Sequence, residues 1–136
     1  MNFVNFDNSA TTFPKPPSVA AAVQTAFTRY GGHPGRGGHK LSVATSEQVF
    51  KTRSAAAEMF GAQPQDAVFA ANCTAALNMA IKGMMQYGGH IIISDYEHNS
   101  VFRPVYALYK RRVATFSVAQ ISDSDEETVE NFRRLI

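Results

Sequence analysis

The stretch Ala67-Val68-Phe69-Ala70-Ala71-Asn72-Cys73-Thr74, followed by the segment from Ala75 to Met85, decides how this chain is to be read. Its first five residues are short, apolar and free of charge, as a strand covered on both faces would be. Beyond the turn at Asn72-Cys73-Thr74, the apolar residues Leu77, Ala80, Ile81 and Met84 recur at three- and four-residue steps, the period of a helix with one buried face.

The same alternation repeats downstream. Gly88-Gly89 break the helix, Ile91-Ile92-Ile93-Ser94 reads as a second buried strand, Ser100 to Arg112 as a helix and Val113 to Val118 as a third strand. Ser124 then caps a last helix with Asp125, Glu126 and Glu127 in its first turn and Arg133 and Arg134 in its last, each set matching the helix dipole. Strands and helices in this order predict the α/β class, with right-handed crossovers and a parallel, doubly wound sheet. Such a sheet normally has more than three strands, and Leu135-Ile136 is an apolar, uncapped end, so the expectation is the front part of a longer protein.

Upstream, Val19, Val23, Phe27 and Tyr30 predict a helix capped by Ser18 and stopped by Gly31-Gly32. A second helix is predicted from Ser42 to Phe60, with Val49, Phe50, Ala56, Ala57 and Phe60 as its buried stripe and Gly61 as its end. Residues 1–17 hold Asn8, Pro14, Pro16 and Pro17, with Phe3 and Phe6 among polar neighbours. They read as an extended arm ahead of a body formed by residues 18–136.

Composition narrows the function classes. With 136 residues, 45% of them hydrophobic and 18% charged, the chain can bury a modest core and is not a disordered tail. Thirteen basic against eleven acidic residues leave +2 without any run of like charge, which argues against nucleic acid or an anionic membrane as partner. The single cysteine excludes a disulfide framework and a multi-cysteine metal site. No signal peptide or membrane span can be built when the longest strongly apolar run is Ile91-Ile92-Ile93, so the default compartment is the cytoplasm.

The candidate chemistry lies where strands hand over to helices. Ligands of open parallel sheets sit outside the carboxyl ends of the strands, where a helix start aims unpaired amides and a partial positive charge. The turn at Cys73 and Thr74 suits a phosphate, with the Thr74 hydroxyl as a further donor; the alternative is that Thr74 is only an N-cap and Cys73 a small buried residue. Gly35-Arg36-Gly37-Gly38-His39-Lys40 has Lys40 where a dinucleotide fingerprint requires glycine, and no P-loop run exists, which favours a smaller phosphorylated cofactor. His98 follows the second strand and so lies at the same edge, where an imidazole can stack on a planar ring, move protons or bind a carboxylate. Its alternative role is that of a satisfied histidine opening a helix. In the loop from Gly31 to Lys40, Arg36 suits carboxylate recognition or a subunit contact, and a flexible solvated loop fits the composition equally. Metal binding by His33 and His39 lacks a third ligand at a recognisable spacing.

Four stretches taken together resemble a known family: Asp7-Asn8-Ser9-Ala10-Thr11-Thr12, Gly35-Arg36-Gly37-Gly38-His39-Lys40-Leu41-Ser42, Asn72-Cys73-Thr74-Ala75-Ala76-Leu77-Asn78 and Ser94-Asp95-Tyr96-Glu97-His98-Asn99-Ser100. In order and spacing they are similar to the N-terminal part of class V aminotransferase-fold enzymes, and most of all to cysteine desulfurases and selenocysteine lyases. The resemblance implies an N-terminal arm plus the first part of the large domain of a fold type I transferase, with a mostly parallel sheet. It implies pyridoxal 5'-phosphate (PLP) as cofactor, a homodimer, and conversion of L-cysteine or a related amino acid to alanine with sulfur passed as a persulfide to an acceptor protein. Carried across residue by residue, it assigns the cofactor phosphate to Cys73 and Thr74 and ring stacking with proton handling to His98. Ala10 matches a segment near the substrate, and Arg36 and His39 match a loop that reaches the partner subunit's active site. The run Cys73-Thr74-Ala75 departs from the family's usual pattern, in which an acid follows the threonine. The family's Schiff-base lysine and persulfide cysteine match no position here, so Cys73 is not the implied nucleophile and the segment alone is expected to be inactive. The resemblance leaves open a class V aminotransferase or another PLP lyase, and a truncated, non-catalytic phosphate-binding domain is a further alternative.

Overall fold

The computed structural model describes residues 4–136, so Met1, Asn2 and Phe3 of the expected arm lie outside the described residues. The chain divides into two compact units, one up to Val68 and one from Phe69 onward. No helix among the described residues is long and apolar enough to cross a membrane.

In the first unit, residues 4–16 form turns closed by short side chains. The Asn5 Oδ1 accepts from the Asp7 amide at 2.9 Å, and the Asn8 Oδ1 accepts from the Phe13 amide at 3.0 Å. Helix α1 spans Pro17–Arg29. Ser18 is not its cap, contrary to the sequence expectation. The N-cap position falls on Pro16 and Pro17 takes the first helical place, where a ring-fixed φ suits the helix and the missing N–H costs nothing.

Helix α2 spans Lys40–Phe60, two residues longer at its start than the periodicity predicts, because the His39 side chain caps it from outside the apolar pattern. Gly61 ends it at φ 64°, a left-handed conformation that a residue with a Cβ adopts only under strain. The predicted stripe is covered unevenly. Ala57 is buried and Val49 and Ala56 half-buried, whereas Phe50 is 60% and Phe60 81% exposed. A 3-10 turn, Pro64–Asp66, follows, and the Ala62 amide bonds back to the Ala57 carbonyl at 2.9 Å. Helical spacing marks a face that can be buried; it does not supply the partner that buries it.

Residues 67–71, which straddle the division between the units, form no strand, and Val68 is 68% and Phe69 55% exposed. This corrects the predicted buried strand, and the sheet among the described residues has two strands instead of three. The physical reason is that five apolar residues become a strand only against a neighbouring ladder. The ladder present joins β1 (Gly89–Ser94) to β2 (Ala114–Ala119), parallel and in register from Gly89 opposite Ala114 to Ser94 opposite Ala119. Helix α3 (Cys73–Met84) leads into β1, and α4 (Asn99–Lys110) makes the crossover from β1 to β2. The predicted end of α4 at Arg112 is two residues too far. Arg112 takes φ 57° and the Val113 amide bonds the Leu108 carbonyl at 3.0 Å, turning the chain into β2. Ile93, Val105, Leu108, Ala114 and Ala119 are buried, and Phe102, Tyr106, Tyr109 and Phe116 form an aromatic cluster with ring centroids 5.4–6.3 Å apart.

Helix α5 spans Asp125–Arg133 as predicted, and the Ser124 Oγ accepts from the Glu127 amide at 3.3 Å. The Glu126 carboxyl is held below its usual range by a hydrogen bond from its own backbone amide and by the Ser124 hydroxyl.

The accessible surface is 11074 Å². Even two separate compact globules of half this mass would together expose only about 8,500 Å². The excess is rich in large apolar side chains, among them Phe27, Phe60, Tyr87 and Met84. Self-association is therefore the expected behaviour of the 136-residue chain. Sedimentation velocity over a range of concentrations should show mass rising with concentration, and a compact monomer that unfolds cooperatively at every concentration would refute this.

Candidate functional site

The candidate residues of the second unit stand at two helix starts, those of α3 and α4. Helix α3 joins the amino end of β1 through residues 85–88, and its twelve residues span about 18 Å, close to the roughly 20 Å of the six-residue strand. Helix α3 packs against α4, which departs from the carboxyl end of β1. Cys73 and Thr74 stand at the start of α3, and His98 stands at the start of α4 in the same unit.

The start of α3 is built by Asn72, whose extended backbone at φ −165° lets its Oδ1 accept from the Ala75 amide at 2.8 Å. The Asn72 carbonyl takes the Ala76 amide at 3.2 Å. Asn72, not Thr74, is the N-cap, and Cys73 is exposed instead of buried, which corrects the structural alternative for both residues. With the amides of Ala75 and Ala76 engaged, those of Cys73 and Thr74 remain as open donors of the first turn. Among the described residues no hydrogen bond occupies the Thr74 hydroxyl, and the turn carries no acid. Two amides and a hydroxyl at the positive end of a helix form a donor set that fits a tetrahedral oxyanion. Asn72→Ala is expected to lower the stability of this unit by about 1 kcal/mol through loss of the cap, read as a shift in urea midpoint; Asn72→Ser should restore most of it.

His98 is the N-cap of α4. Its Nδ1 accepts from the Ser100 amide at 3.1 Å and lies 2.9 Å from the Ser100 Oγ, while the rest of the residue is exposed. The helix-opening role weighed for this histidine is therefore filled by one ring nitrogen, which leaves the other for chemistry. Sequence reasoning missed the two acids that fix this edge. The Glu97 Oε1 accepts from the Ser94 hydroxyl at 3.0 Å, and the Asp95 Oδ1 accepts from the Ile121 amide at 3.0 Å, tying the ends of β1 and β2 to the turns that follow them. Acids within three residues of a strand's carboxyl end are the signal that could have found them.

Arg36, His39 and Ala10 belong to the first unit. Ala10 is exposed in a turn whose amide bonds the Asp7 carbonyl at 3.1 Å. The glycine-rich loop is pinned by one buried hydroxyl. The Ser42 Oγ lies 2.7, 3.1 and 2.9 Å from the carbonyl oxygens of His33, Arg36 and Gly37, and Ser46 bonds the Pro34 carbonyl. Both Arg36 and His39 are exposed on it, and the His39 Nδ1 accepts from the Ser42 amide at 3.4 Å.

A model of the aminotransferase class-V family matches residues 4–136. Cysteine desulfurase IscS of Pectobacterium carotovorum is 38% identical over 104 residues, covering 72% of this chain and 26% of that protein. The IscS of Photorhabdus laumondii is 36% identical over the same length and shares. Among solved structures, the apo cysteine desulfurase of Thermococcus onnurineus NA1 matches with a TM-score of 0.76 at 26% identity, covering 88% of this chain and 30% of that one. A NifS-like protein matches in fold alone, with a TM-score of 0.80 at 19% identity, over 96% of this chain and 36% of that one. The chain spans about a quarter of the length of the curated relatives it matches.

Proposed function

From the premise that this chain belongs to the aminotransferase class-V family, with the α/β fold of PLP-dependent fold type I enzymes, we propose that it serves in a cysteine desulfurase as the N-terminal part. The reaction would convert L-cysteine to L-alanine and pass sulfur as a persulfide to an acceptor protein, with a homodimer in the cytoplasm as the working form. Residues 1–17 act as its arm and residues 18–136 as a portion of the cofactor-binding domain. The observation that carries this reading is the open donor set at the start of α3, in the unit that also bears His98 at the start of α4.

The amides of Cys73 and Thr74 and the Thr74 hydroxyl hold the cofactor phosphate, and no first-turn carboxylate repels it. The imidazole of His98 covers the planar ring. Arg36 and His39, held outward by the Ser42 pin, reach the partner subunit's site, where the guanidinium can bind a carboxylate; Ala10 lines the substrate's approach. When bound, PLP supplies the electron sink for bond cleavage at the substrate, and the protein supplies its orientation.

The test is to incubate the complete gene product with PLP and L-cysteine. Alanine and protein-bound sulfur should appear in equal amounts. Formation of a keto acid without sulfur release would point instead to an aminotransferase, and no product at all would reject both.

A further inference from the structure

Three of the four histidines of this chain share one arrangement: the ring Nδ1 accepts from a backbone amide two or three residues ahead. His33 accepts from Gly35 at 3.0 Å, His39 from Ser42 at 3.4 Å and His98 from Ser100 at 3.1 Å. A ring nitrogen that accepts a hydrogen bond carries no hydrogen, so the neutral ring in each case bears its hydrogen on Nε2.

At His98 this hold is doubled. The Ser100 hydroxyl lies 2.9 Å from the same Nδ1, and Ser100 is only 8% exposed, so its hydroxyl is enclosed beside the ring. The backbone is held as well, since the His98 carbonyl accepts from the amides of Val101 at 2.9 Å and Phe102 at 3.2 Å. Among the described residues nothing bonds Nε2, on the opposite side of the ring, and the residue is exposed.

We propose that His98 works as a neutral hydrogen-bond donor through its Nε2–H toward an anionic oxygen or thiolate at the carboxyl edge, and that Ser100 is the positioning residue that holds the ring in this tautomer. The proposal rests on the reading of the site given above and sharpens the role of His98 within it. A ring held this way has no free lone pair with which to take a proton. Nε2 already carries hydrogen, and the Nδ1 lone pair is engaged by Ser100. The residue therefore stabilises developing negative charge through a hydrogen bond, because a neutral imidazole donates its Nε2–H without releasing it.

The experiment reads ring nitrogens directly. The 136-residue chain is labelled with ¹⁵N-histidine and examined at alkaline pH by magic-angle-spinning NMR, which is indifferent to self-association, with His98→Gln assigning the signals. The expected result for His98 is a single species, with Nδ1 unprotonated and Nε2 protonated. Ser100→Ala should add a second, Nδ1-protonated species, and Ser100→Thr, which keeps the hydroxyl, should return the spectrum to one. A wild-type ring protonated at Nδ1 or divided between tautomers overturns the proposal, whether or not Ser100→Ala folds. A folded Ser100→Ala with an unchanged spectrum removes Ser100 from the role. Because no cofactor is needed, failure of the desulfurase reading would leave this result standing, and an Nδ1-protonated ring would overturn it even in an active enzyme.

Discussion

Thr74→Val is expected to lower PLP affinity of the complete gene product about 10- to 100-fold, the loss of one hydrogen bond to a charged acceptor worth roughly 1.5–3 kcal/mol. Valine keeps the branched shape and nearly the volume of threonine, and the site is exposed in the first helical turn, so the fold should tolerate it. The loss is partial because the amides of Cys73 and Thr74 are main-chain groups that survive the substitution. Pyridoxal, which lacks the phosphate, provides the control. Titration of apo-protein should show the variant weakened toward PLP and unchanged toward pyridoxal. Equal weakening toward both would mean that the substitution disturbs the site as a whole, and equal PLP affinity in variant and wild type would remove Thr74 from phosphate binding.

The second large effect lies in the glycine-rich loop. A Cβ on Gly32 would stand 2.4 Å from the Ser42 amide nitrogen and 2.5 Å from the Leu41 carbonyl carbon. Those are main-chain atoms of the first turn of α2 and cannot swing aside, so Gly32→Ala must push the loop off the helix, at a cost of about 1–3 kcal/mol. Ser42→Ala reaches the same end by another route. It leaves the carbonyls of His33, Arg36 and Gly37 without their shared donor in a buried place, again roughly 1–3 kcal/mol. Both changes undo one contact, so the double variant should cost less than the sum of the two. Denaturant midpoints give the energies, and tryptic cleavage after Arg36 reports the loop, which should be cut faster in either variant. Unchanged midpoints and cleavage rates would show that the loop does not depend on this pin.

Helix α5 is legible in the sequence from end to end. Ser124, the three acids after it and the arginines at its close all act within one turn of themselves, and Gly61 at the end of α2 and Gly88-Gly89 at the entry to β1 are equally local signals. The place of Cys73, Thr74 and His98 at helix starts was legible to the same degree, because it follows from the order of elements. Its fine assignment was not. Asn72, Cys73 and Thr74 all stand beside the start of α3, and Asn72 takes the cap because its backbone is the one held extended. The pinning of the loop by Ser42 was illegible because three carbonyls spread over five residues have to converge on a hydroxyl that lies beyond them.

Periods, breakers and capping chemistry were therefore settled by neighbours along the chain: the α/β order, the helix-rich first unit and the helix starts that carry Thr74 and His98. Folding in space settled what neighbours along the chain do not see. Residues 67–71 carry the composition of a buried strand and form none, and Phe50 and Phe60 carry the spacing of a buried stripe and stand exposed. A ladder and a covered face each require atoms contributed from elsewhere in space, and hydrophobic spacing expresses only the capacity to receive them.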